Sequence, residues 1–225
     1  MGALNHIPHP SPEEDRRSTR TSIGGLMGGN ALLLAFFALG WLEVAELIWS
    51  FWAHSVTIGF FNYRRMMSLE DFSTEGLTSN GRPVPETEKG KRSTANFFLL
   101  HYGGFHAGYL AFMVSSGLPD GGTWLLIAMG AVGFGIGEHA IFRRHLETDR
   151  GWRPNIGTLF FQPYLRVIPM HTAGLAALAG TAGAAWFFIP LKLLTDVGMY
   201  LIDEHMDARR AKSSEPAAEG QGGAL

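Results

Sequence analysis

All but one of the 18 Lys and Arg residues of this 225-residue chain fall in four places. These are Arg16/Arg17/Arg20, Arg64 through Arg92, Arg143 through Arg166, and Arg209/Arg210/Lys212. Apolar stretches long enough for two membrane crossings separate them. Lys and Arg that flank a span resist translocation, so basic clusters mark the cytoplasmic side. An even number of crossings between clusters predicts an all-α polytopic membrane protein, a six-helix transmembrane bundle of three hairpins. Both termini are expected on the cytoplasmic side.

Mean hydropathy is only +0.07, because polar stretches at 1–22, 68–93 and 208–225 dilute the spans. A net charge of −2 offers no case for nucleic acid as a partner, and the absence of Cys excludes disulfides and thiolate chemistry. The implied partner is the lipid bilayer, with other membrane subunits or a homo-oligomer as further candidates. Met1–Ser22 lacks the basic start and early apolar core of a signal peptide, which predicts an uncleaved first span.

The expected layout is a disordered cytoplasmic tail (1–22), a membrane domain (23–206) and a second disordered tail (207–225). Its spans lie at about 23–42, 44–66, 94–116, 123–145, 163–179 and 184–206. One helix through the first two spans would be roughly 60 Å long, about twice the hydrocarbon core, so Gly40 beside Glu43 and Glu46 marks a turn. Trp41 and Trp49 belong near the outer interface. Leu69–Arg92 is a polar loop broken at Asn80-Gly81 and at Pro83 and Pro85. Leu118–Gly122 is a short outer turn. Between Glu147 and Gln162, Asn155 starts a short interfacial helix carrying Ile156, Leu159, Phe160 and Phe161. Gly180–Gly183, or alternatively Ile189-Pro190, forms the last turn.

Ionisable side chains at membrane depth are costly and usually face the bundle interior. Here they are His54, His101, His106, Glu138, His139, His171, Lys192 and Asp196. Counting from inner helix ends puts His101, His139, His171 and Asp196 roughly 9–15 Å below the inner face, in one layer. His54 and His106 lie deeper. His101 shares a stripe with Gly104 and Gly108, and His139 one with Ala128, Ala131 and Gly135. Small residues permit close helix approach, so these rings are expected to face neighbouring helices. Lys192 and Asp196, four apart, can share one face as an internal pair, and Glu138 is either a supporting partner for a histidine or a snorkelling residue near the inner face.

Three imidazoles and a carboxylate suit Zn, Fe or Mn, and two histidines facing across a cleft suit haem. Three readings therefore stay open: a metal- or haem-binding membrane protein on His101, His139, His171 and Asp196, a small transporter or proton relay, and an accessory subunit of a membrane complex. Hydrogen bonding between helices would explain each histidine singly. No nucleophile elbow, P-loop or dinucleotide fingerprint occurs, so no enzyme class is indicated.

Several short pieces also resemble an uncharacterised prokaryotic family of small multi-spanning membrane proteins, a domain of unknown function. They are Trp52-Ala-His-Ser-Val-Thr-Ile-Gly-Phe-Phe-Asn62, His101-Tyr-Gly-Gly-Phe105, Glu138-His139, Pro163-Tyr-Leu-Arg166 followed by His171, and Lys192-Leu-Leu-Thr-Asp196. In that family an acidic residue usually stands where this chain has His54. The resemblance implies the multi-span architecture and carries no activity.

Overall fold

The computed structural model describes residues 24, 27–28, 30–33, 35–41, 43–178 and 193–202, the side chains at 44–45, 116 and 168–178 excepted. Both tails (with His6 and His9), the turn at Gly180–Gly183 and its competitor at Ile189-Pro190, Lys192, His205 and the ring of His171 lie outside them. Among the described residues the chain is mostly helical. Helical residues 30–33 and 35–38 precede α1 (Val44–Ser68), α2 (Glu88–Ser116), α3 (Gly121–Arg150), α4 (Ile156–Leu178) and α5 (Leu193–Ile202). A two-residue hairpin, β1 (Thr78–Ser79) and β2 (Arg82–Pro83), sits between α1 and α2.

Local chemistry sets these boundaries. The helix before α1 ends as expected at Gly40, whose φ is +71°. Gly40 N–H bonds to Phe37 O and Trp41 N–H to Phe36 O, while the Trp41 ring packs 5.7 Å from that of Phe36. That is a Schellman ending with its apolar clasp, and glycine takes the left-handed position without strain. Thr87 caps α2 through Gly90 N–H, Asp120 caps α3 through Thr123 N–H, and Asn155 caps α4 through Gly157 and Thr158 N–H. The Thr87 cap, together with Glu88 pairing to Lys91 and Arg92, extends α2 two turns before the apolar span expected from Thr94.

α1 is the central element and packs against α3, α2 and α4. Its Leu47, Phe51, His54, Ser55, Ile58 and Met66 are buried. Trp49 is buried edge-on to Trp124 at 5.2 Å. The start of α1 thus lies beside the start of α3, and Arg65 near the end of α1 meets Asp149 near the end of α3, so the two run parallel. Met66 packs with Ala95, and Trp52 Nε1 donates to His106 O, so α2 runs the opposite way. Asn62 meets Leu159, and Glu138 meets Arg166, which makes α4 antiparallel to α1 and α3. Successive helices alternate in direction, and the basic ends of α1, α2 and α3 gather at one end.

α2 and α3 are long and apolar enough to cross a membrane. Their large apolar residues point outward: Leu100 is 74% exposed, Leu125 65% and Ile136 62%. A helix buried in a water-soluble core would hide such residues. Close approach between helices occurs at Gly59, where any Cβ would overlap the Tyr102 ring, and at Gly130, packed under Leu33. Gly104, Gly108 and Gly135, assigned from their stripes to this task, meet nothing among the described residues.

Two expectations are corrected at the basic end. The loop after α1 is a folded cap. Leu69, Phe72 and Leu77 join a core with Met66, Phe98, Ile156 and Phe160. Asn80 and Gly81, at φ +50° and +73°, make the left-handed two-residue turn of the hairpin. The cap latches onto residues 153–156. Ser73 N–H bonds to Pro154 O and Ile156 N–H to Ser73 O, both at 2.9 Å, and Arg153 joins Asp71 at 3.0 Å and Glu86 at 2.5 Å.

The separate interfacial helix is instead the first part of α4, because Ile156, Leu159 and Phe160 are buried in that core. Proline cannot donate to the carbonyl four residues back. Where Pro163 leaves Leu159 O without an intrahelical donor, Asn62 Nδ2 supplies one at 2.9 Å. This bond lets the helix continue through the proline.

Asn62→Leu is expected to destabilise the protein by about 1–3 kcal/mol, the range for a buried polar group left unsatisfied. Adding Pro163→Ala, which restores an N–H at that site, should recover most of the loss in detergent thermal unfolding. The Glu86 carboxyl is held below its ordinary range by Thr74 N–H and then by Arg153. A carboxylate with a lowered folded pKa stabilises above its unfolded value, about 4.3, and loses that effect as pH falls through the folded value. Hydrogen exchange at residues 73–79, corrected for its intrinsic pH dependence, should therefore accelerate relative to α3 below about pH 4.

Candidate functional site

Several buried polar groups of the described helices converge on Glu138 of α3. Its side chain is 4% exposed and lies 3.1 Å from His54 Nε2 of α1. Arg166 of α4 donates from Nη2 to Glu138 Oε1 at 2.6 Å and from Nη1 to Oε2 at 3.4 Å. The same Nη2 lies 3.6 Å from Asp196 Oδ1 of α5. Asn30, on the helix before α1, donates to Asp196 Oδ2 at 3.3 Å. Five helical segments thus contribute one residue each to a continuous buried chain.

Each member is fixed by its surroundings. The His54 ring is fully buried and stacks on Phe134 at 4.0 Å and 5°. This packing aims its edge at the carboxylate. Arg166 stands three residues beyond Pro163 on α4, one turn past the Leu159 carbonyl that Asn62 satisfies. The fork of Arg166 on Glu138 is the bidentate geometry that suits a guanidinium and a carboxylate. Asp196 is 3% exposed and Asn30 2%.

A cleft runs from Glu138 and Arg166 toward the basic end. It is lined by Ile58 and Asn62 of α1, His145 of α3, Gln162 of α4 and Tyr200 of α5, with Arg65 at its mouth. It has about 50 Å³ of room for water-sized molecules, enough for about three waters when each needs ~10–15 Å³. Arg65 there is locked to Asp149 by two bonds of 2.8 Å. Arg144 donates to Tyr200 OH at 2.6 Å.

Of the residues singled out from sequence, His54, Glu138 and Asp196 are brought together, and Glu138 is a histidine's partner as expected, that histidine being His54. His101 and His139 are not part of the chain. His101 is exposed, with Nδ1 2.7 Å from Tyr164 OH. His139 is exposed beside Phe61 and Phe142. His106 is buried, stacks on Tyr102 at 4.2 Å and bonds its carbonyl at 2.8 Å. No group of three His, Asp or Glu side chains suited to a metal ion occurs among the described residues.

Sequence reasoning missed Arg166 and Asn30. Arg166 was grouped with the basic residues that mark the cytoplasmic side, yet its side chain is only 12% exposed and serves the interior. Its position three residues inside a span, with a carboxylate on the preceding one, was the available signal. Asn30 is uncharged and left no such trace.

Arg166→Met would remove the guanidinium that both buried carboxylates face, and removing one partner of a buried ion pair costs about 3–5 kcal/mol. A triple variant that also carries Glu138→Leu and Asp196→Leu should regain most of that stability in SDS-titration unfolding, because the charges that Arg166 balances are gone with it.

No curated protein and no solved structure matches this chain. The sequence pattern of a family of unknown function, DUF6498, matches residues 13–216, which take in every described helix and every residue of the buried chain. The protein belongs to that family.

Proposed function

We propose that this chain is a six-span protein of the prokaryotic cytoplasmic membrane, with both termini cytoplasmic, and that it relays protons through the His54–Glu138–Arg166–Asp196 cluster. The observation that carries this reading is Glu138, buried between His54 at 3.1 Å and Arg166 at 2.6 Å. His54 and Glu138 put an imidazole, which gains and loses a proton within the physiological range, in direct contact with a carboxylate. The cleft at Glu138 gives water a way to that pair. Imidazole and carboxyl groups in contact are the usual parts of intramembrane proton relays.

Outward-facing Leu, Phe and Ile on α2 and α3, alternating helix directions and basic residues gathered at one end support the membrane placement. Lipid acyl chains are the partner that suits those faces. A metal or haem centre on His101, His139 and His171 with Asp196 has less support. His101 is engaged by Tyr164, and Asp196 lies beside a guanidinium that would repel a metal cation.

Purified protein in liposomes, with a potassium gradient, valinomycin and a trapped pH dye, tests the relay. Wild type should carry protons well above empty vesicles, and Glu138→Gln should reduce the flux at least about tenfold, the low end for a positioned acid–base group. Equal flux for wild type and empty vesicles would reject the relay. Metal analysis of the same samples tests the centre on His101, His139 and His171.

A further inference from the structure

We infer that the groove between α4 and α5 holds one phospholipid whose headgroup carries an ammonium, of the ethanolamine class. The inference rests on the membrane placement proposed above and not on the relay. The groove has about 490 Å³ of room, against about 50 Å³ in the cleft at Glu138. Small-molecule sites of roughly 300–1,000 Å³ have mostly apolar walls and a few polar groups, and this space has that make-up.

Its two ends differ. Thr158, Phe161 and Leu165 line it from α4. Spacings of three and seven put them on one face, and Leu165 lies roughly 10.5 Å deeper than Thr158. Met199 and Ile202, three apart, line it from α5. Asp196 stands by Arg166 and Tyr200 by Arg144, so α5 descends to the basic end and Ile202 lies toward the start of α4. Phe161, Leu165 and Ile202 are exposed, which leaves the apolar wall open to acyl chains. Glu75 lines the other end from the cap, held there by Asn155 Nδ2, which donates to Glu75 O at 2.9 Å. A polar mouth at the basic end with an apolar slot above it matches a lipid standing in the cytoplasmic leaflet. Its tail lies beside Leu165 and Met199 and its head at Glu75.

Charge selects the head. Glu75 is the one ionisable residue of the lining, and it is exposed. Nearby acidic groups of the cap are already neutralised, Asp71 and Glu86 by Arg153 and Glu88 by Lys91 and Arg92. Glu75 has no such ion pair among the described residues. A carboxylate at the mouth repels an anionic head and attracts an ammonium. Thr158 adds an uncharged hydroxyl that can donate to the phosphate.

The test is native mass spectrometry of the whole protein in a maltoside detergent, titrated with phosphatidylethanolamine or phosphatidylglycerol of matched chains. Met199→Trp, which fills the groove, should weaken retention of one lipid at least about tenfold. Leu165→Trp, from the facing helix, should do the same and serves alone should the first variant misfold. The retention lost in these variants should favour the ethanolamine lipid about twofold to fivefold in wild type, the size an exposed ion pair supports. Glu75→Gln should abolish that preference and leave retention itself in place. Equal retention by wild type and both tryptophan variants, no preference in wild type, or a preference that survives Glu75→Gln overturns the proposal. So does a groove that takes lipid only after residues 207–225 are removed, since the chain's own end then occupies it. Loss of a dimer on filling the groove would assign it to a second copy and overturn the lipid likewise. A wild-type chain that stays soluble without detergent overturns the membrane placement and this site together.

Discussion

Arg166 stands between Glu138 and Asp196 in the middle of the helix packing, and the arrangement of α3, α4 and α5 depends on it. A buried guanidinium is costly alone, and here two carboxylates meet it while it offsets their charge. Apolar contacts between helices in lipid are weakly directional, since acyl chains compete equally well for the same surfaces. The buried ionic chain has no such competitor, and it fixes rotation and depth for each helix that contributes to it. Asn30 and His54 extend the same constraint to the helix before α1 and to α1 itself.

Much of the architecture was legible because it rests on local rules. The Gly40 turn, the Asn155 helix start and the break at Asn80-Gly81 are each dictated by backbone conformation or by an orphan N–H, which short sequence windows record. The course of α4 was not legible. Whether a helix stops at Pro163 depends on a donor reaching Leu159 O, and that donor, Asn62, lies 97 residues away. The folded cap was hidden for a related reason. Its polar composition reads as solvent-exposed loop, while part of the cover for Leu69, Phe72 and Leu77 comes from Ile156 and Phe160, residues after α3.

The site was legible as a set of residues but not as a set of partners. His54, Glu138 and Asp196 stand out because ionisable groups are rare at membrane depth. Helical periodicity gives the face a residue occupies, not the neighbour that face meets, so the stripes carrying His101 and His139 led toward the wrong convergence. Glycine marks close packing only where a partner is present. Gly59 under Tyr102 meets that condition, and Gly104 meets nothing among the described residues.

The interlock of the α1–α2 cap with the segment before α4 bears on how the chain is made. Leu69, Phe72 and Leu77 leave the ribosome well before Ile156 and Phe160, the residues that cover them. During that interval part of the cap's apolar face remains uncovered. Biogenesis therefore has a vulnerable window that closes only when the start of α4 is synthesised. A nascent chain truncated before Asn155 would be open to capture by holdases, whereas one extended through Val167 could shield that lobe by itself.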